Sequence, residues 1–169
     1  VVDADDLVDE MIQVARDMSA ELGKLESLSK DDAEETFRMI ALGALKYFIL
    51  KVDPRKNMMF NPTESIDFNG NTGPFIQYTY ARIKSVLRKA KDNEITIDEN
   101  VELNSLSSKE KDLLKRIALF PAAVKEAGNN NSPAIIANYC YDLVKDFNQF
   151  YHEHSILSEQ DKEQLNHRL

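Results

Sequence analysis

Tyr78, Arg82, Ser85 and Lys89 follow one another at spacings of four, three and four residues, so on a helix they share one face. A tyrosine ring heading a row of cations suits single-stranded nucleic acid. An unstacked base lies on the ring while arginine and lysine meet the flanking phosphates, each stacked base contributing about 1–3 kcal/mol. Packing of Tyr78 against a neighbouring helix, with the cations solvating a surface, explains the same pattern. From Phe68 to Lys91 no acidic residue occurs, whereas Arg82, Lys84, Arg88, Lys89 and Lys91 supply positive charge. The whole 169-residue chain carries a formal charge of −8, which argues against coating nucleic acid through bulk electrostatics and allows one basic face on an acidic molecule.

A second aromatic group spans Tyr139-Cys140-Tyr141 and Phe147 to His152. Phe147 and Phe150 fit a core stripe, but Tyr141, Asn148, Tyr151 and His152 cannot all share it. Their polar tips could hydrogen-bond base edges or tie helix ends together. Other chemistries find little support. There is no G-x-G-x-x-G or G-x-x-x-x-G-K phosphate loop, and Gly70-Asn71-Thr72-Gly73 follows no apolar strand. His152, His154, His167 and Cys140 offer no metal-ligand spacing, so no catalytic, cofactor or metal site is expected in this stretch. With one cysteine no intrachain disulfide can form, and no apolar run approaches the roughly 18 residues of a membrane span. The expectation is a cytoplasmic protein with no membrane partner.

The elements that must position these residues read as helices throughout. Leu7, Met11, Val14, Ala15 and Met18 form an apolar stripe behind an acidic start at Asp3 to Glu10. Ser29-Lys30-Asp31-Asp32 opens a second helix, with Phe37, Ile40, Ala44, Tyr47 and Phe48 on its stripe, apolar enough to be largely buried and ending before Asp53-Pro54. Residues 54–73 show no helical period and read as an extended connector and a domain boundary. Pro74 at a first helical position opens the next helix, running to about Ala90 with Ile76, Tyr80, Ile83 and Leu87 as its buried stripe. An acidic surface excursion follows, from Asp92 to Glu102. Ser107-Ser108-Lys109-Glu110 is a capping box for a helix to Phe120-Pro121, with a short helix over 122–127 that Gly128 and three asparagines end. Ser132-Pro133 starts a long helix with Ile136, Tyr139, Cys140, Leu143, Phe147 and Phe150 on its stripe, and Ser158-Glu159-Gln160-Asp161 caps the last one. The fold class expected is all-α, a helical bundle over 74–169 preceded by helices within 1–73.

Ala44-Leu45-Lys46-Tyr47-Phe48, Gly70 to Tyr78 with Ala81-Arg82, Ala137-Asn138-Tyr139, Phe147-Asn148 and Phe150-Tyr151-His152 together resemble the C-terminal half of arginyl-tRNA synthetases, in order over most of the chain. The resemblance implies that 1–73 is the end of a catalytic core, whose helical pair over 1–53 braces it against the tRNA stem, and 74–169 an anticodon-binding helical bundle lacking a final helix. It implies tRNA(Arg) as partner. ATP and Mg2+ would serve the full-length ligase, this stretch being unable to aminoacylate by itself. Phe75 and Tyr78 would lie against the anticodon loop, with Gln77 in the same motif. Position 75 is often tyrosine in the family, so Phe75 keeps a stacking face without the hydroxyl. Arg82, Lys84, Arg88 and Lys89 would hold phosphates, aided by backbone N–H groups at Asn71, Thr72 and Gly73, while Tyr141, Asn148, Tyr151 and His152 flank the loop. A bundle lacking a wall would expose apolar surface and could self-associate. Two rivals remain: a helical protein-interaction module without RNA, and the anticodon domain of another class I synthetase such as the cysteinyl or methionyl enzymes.

Overall fold

The computed structural model describes residues 3–21, 28–96 and 105–169. Their regular elements are all helices, without strands, as the sequence predicts. The elements are α1 (Ala4–Glu21), α2 (Lys30–Leu50), α3 (Pro62–Ser65), α4 (Gly73–Asp92), α5 (Ser108–Ala118), α6 (Phe120–Asn130), α7 (Pro133–Glu153) and α8 (Lys162–Arg168). The acidic excursion expected from Asp92 to Glu102 falls mostly outside the described residues.

Local chemistry sets the helix ends. Ser29 accepts from the Asp32 N–H at the start of α2, and Ser107 with Glu110 forms a reciprocal capping box on α5. Several expectations shift. Asn61 caps α3 inside the supposed extended connector, with Pro62 supplying a fixed φ for its first turn. Thr72 caps α4, which places Pro74 second in the helix. Ser132 stands before α7 without a capping hydrogen bond. α6 runs through Gly128 and stops where Asn131 turns left-handed at φ 49°. Asp161, three residues beyond Ser158, caps α8.

α1, α2 and α3 share one apolar cluster around the fully buried Met11, Ala15, Ala41, Ala44 and Ile66. α2 is less buried than its composition implies, since Met39, Ile49 and Leu50 are exposed. A second cluster joins α4 and α7 through Val86, Phe150 and Ile156, with Leu113 of α5 and Leu169 against it. α4 packs on α2 at one end and on α7, while α5 and α6 both lean on α7.

The start of α4 is pressed against the middle of α2. A methyl group at Gly73 would collide with the Gly43 carbonyl and lie 3.1 Å from the Ala44 nitrogen. Such close approach to the α2 backbone needs glycine at position 73, whereas a methyl group at Gly43 would meet the Gln77 side chain. It also moves the buried face of α4. Gly73, Pro74, Thr79, Val86 and Ala90 are the buried residues, while Tyr80 is 61% exposed and Leu87 is exposed too. The expected stripe of Ile76, Tyr80, Ile83 and Leu87 is therefore wrong in phase: small residues, which carry little apolar signal, face the neighbours at close range.

Candidate nucleic-acid interface

Turning the small residues of α4 inward brings the row of Tyr78, Arg82, Ser85 and Lys89 to the groove between α4 and α7. The groove is a cleft of about 720 Å³, floored by Val86 and Ala81 and walled opposite by Tyr151, His152, His154 and the turn Ser155–Ser158. No acidic side chain is among its described lining residues.

Arg82 is its centre. Its Cζ lies 4.9 Å from the ring centroid of Tyr78 and 4.9 Å from that of Tyr151, so one planar cation bridges rings of α4 and α7. Its Nη1 donates to Asn148 Oδ1. The Asn148 amide is itself fixed, its Nδ2 donating to Thr79 Oγ1 at 2.8 Å and to the Val144 carbonyl at 2.8 Å. Asn148 thus lies buried beneath the cleft and acts on it through Arg82.

The other expected residues scatter. Phe75 and Tyr141 face each other across the α4–α7 crossing, ring centroids 5.8 Å apart, outside the cleft lining. Gln77 points towards α2, its Nε2 donating to the Met39 carbonyl at 3.0 Å. Lys84 stands over Tyr80 on another face, 5.5 Å from that ring's centroid, and Arg88 is exposed beside Ser85. The loop before Pro74 packs inward: Thr72, Gly73 and Pro74 are buried, and Asn71 Oδ1 accepts from the Tyr47 hydroxyl. Packing against α2 thus already occupies Thr72 and Gly73, and Asn71 is engaged by Tyr47.

Two anchors hold the far wall. His154 Nε2 lies 2.9 Å from Ser107 Oγ, at the α5 cap. Arg168 of α8, only 8% exposed, donates from Nε to Glu110 at 2.8 Å and from Nη1 to Glu159, just after the wall. Burial pushes the Glu110 carboxyl up, but hydrogen bonds from Arg168 and Ser107 outweigh it and hold the group down at about 2.

Residues 76–169, which include the whole cleft, match the DALR anticodon binding domain. The chain belongs to that family. This DALR chain is 61% identical to an arginine–tRNA ligase of Parabacteroides distasonis, over 100% of its own length and 28% of the relative's. It is likewise 61% identical to the arginine–tRNA ligase of Bacteroides thetaiotaomicron, over 96% of itself and 27% of that protein. Among solved structures it is similar to an arginyl-tRNA synthetase of Thermus thermophilus, with a TM-score of 0.85 at 28% identity, covering 99% of this chain and 28% of that one. That of Plasmodium falciparum gives a TM-score of 0.80 at 25% identity, covering 99% and 29%. The chain thus spans little more than a quarter of the relatives it matches.

In this DALR chain the wall residues His154, Ser155 and Ser158 escape sequence reading. They belong to no periodic element, and only Phe150 and Ile156 packing in one cluster signals that the chain folds back there. No group of three or more His, Cys, Asp or Glu side chains that could hold a metal ion comes together among the described residues. No helix among them is long and apolar enough to cross a membrane.

Proposed function

We propose that this chain is the anticodon-reading part of an arginine–tRNA ligase, gripping the anticodon stem–loop of tRNA(Arg) in the cleft between α4 and α7. On this reading residues 74–169 form the RNA-binding bundle and 1–73 link it to the catalytic core, where the full-length cytoplasmic enzyme would use ATP and Mg2+. The observation that carries it is the Tyr78–Arg82–Tyr151 bridge, set in a cleft with Lys89 and His152 and with no acidic side chain among its described lining residues, on a chain whose net charge is −8. Tyr78 and Tyr151 offer stacking faces, and Lys89 lies where a flanking phosphate would pass. Phe75 and Tyr141 brace the helix crossing from outside the cleft, and Asn148 orients Arg82 from below.

The test is binding of the chain to the tRNA(Arg) anticodon stem–loop and to the same stem with its loop replaced, each at two salt concentrations. The native loop should be preferred, and Tyr78→Ala should abolish that preference. Equal binding of both loops, or no effect of Tyr78→Ala, would refute the reading.

A further inference from the structure

Behind Tyr78, on the side away from the basic cleft, lies a second cavity of about 720 Å³ between α1, α2 and α4. Met39, Ile40, Phe68, Ile76, Tyr78 and Tyr80 line it, and no charged side chain is among its described lining residues. Tyr78 and Ala81 line both cavities, so the two adjoin across one turn of α4. Tyr80 is 61% exposed, an unusual state for a tyrosine on a helix otherwise packed on two sides. The Lys84 ammonium sits over its ring.

We propose that this apolar cavity receives a second unstacked nucleobase of the same RNA loop, stacked on Tyr80, with Lys84 meeting the phosphate at its rim. The inference rests on the anticodon reading and deepens it. A nucleobase is flat with apolar faces, and it fits easily within the volume. The described lining is mostly apolar and offers no cation to a phosphate, which would stay outside, where Lys84 stands. A loop lying over Tyr78 reaches both sides of that residue, so two bases splayed in opposite directions would straddle one turn of α4. The geometry also gives Lys84 a role that its separation from the face of Lys89 otherwise leaves unexplained.

The experiment measures binding of the wild-type chain, Tyr78→Ala, Tyr80→Ala and Tyr80→Phe to anticodon stem–loops of tRNA(Arg) carrying an abasic residue at each loop position in turn. Exposure of Tyr80 makes its replacement harmless to the fold, which an unchanged thermal midpoint verifies. Tyr80→Ala should weaken binding about tenfold or more and Tyr80→Phe should restore it, as expected for loss and return of one stacked base. One loop position should become insensitive to base removal in Tyr80→Ala while staying sensitive in Tyr78→Ala. Wild-type affinity in Tyr80→Ala, as when the cavity instead seats another part of a longer polypeptide, would overturn the proposal and leave the cleft reading standing. Insensitivity appearing at the same loop position in both variants would also overturn it. Loss of all loop preference in the wild-type chain would sink both readings together.

Discussion

Arg82 separates two kinds of cation that the sequence presents as one row. Lys89 is exposed, whereas the Arg82 guanidinium is held by two rings and by Asn148. A held planar cation loses little entropy when it meets a ligand, and lysine cannot reproduce its stacking. We expect Arg82→Lys to weaken stem–loop binding about tenfold with an unchanged salt slope, while Lys89→Ala lowers the slope of log K against log salt by about 1, both read from titrations over a salt series. The row itself was legible because spacing alone defines a helix face. Its neighbours were not: Thr79 and Ala90 give no hydrophobic signal, so Tyr80 and Leu87 drew the predicted buried stripe to the wrong side. Glu110 contributes to the pH dependence, beside Glu159 on the same arginine and Asp53, whose carboxyls are also held down. Its folded-state pKa is depressed, so the stability it adds is complete above the ordinary carboxylate range and is lost as pH falls through about 2. The unfolding midpoint of the wild-type chain should therefore fall between about pH 4.5 and pH 2. Glu110→Gln should cost about 2–3 kcal/mol at pH 7 and flatten that fall in an acid titration followed by circular dichroism.

At the scale of elements, the start of α5 was readable because a capping box is local chemistry, and Ser107→Ala should cost about 1 kcal/mol in chemical denaturation. The cost should be larger than for an exposed cap, since Ser107 Oγ also meets His154. The α2–α4 crossing was not readable. Gly73 looked like a turn residue, and only the folded chain sets it on Gly43. Gly73→Ala forces backbone apart instead of moving a flexible side chain, so a loss of about 1–3 kcal/mol is expected. A crystal structure of that variant would show α4 displaced from α2; an undisturbed crossing would refute the account. The wall at Ser155–Ser158 escaped notice for a related reason: its position depends on Arg168 in the following helix, a partner that no short-range pattern connects to it.

For the whole molecule, two apolar clusters are joined chiefly by α4 and by the α2–α7 contact. Met11 lies in one and Phe150 in the other, sharing no neighbour. Met11→Ala should cost about 2–4 kcal/mol and Phe150→Leu about 1 kcal/mol, and in the double variant the losses should add to within about 0.5 kcal/mol in urea unfolding. A marked excess would mean that the clusters fold as one strongly coupled unit. The all-α class and the order of the long helices were legible throughout, because apolar period and caps agree. The short α3 was not, since four residues are too few to show a period. The Gly43–Gly73 crossing also bears on how such a chain can change over generations. A side chain added at Gly73 meets the Gly43 backbone, where glycine has nothing left to remove in compensation, while one added at Gly43 meets the Gln77 side chain. No sequence of single steps at these two sites relieves the clash. The crossing is thus a fixed pivot to which every later substitution must conform, and the angle at which α4 offers its cations to a ligand is inherited with it.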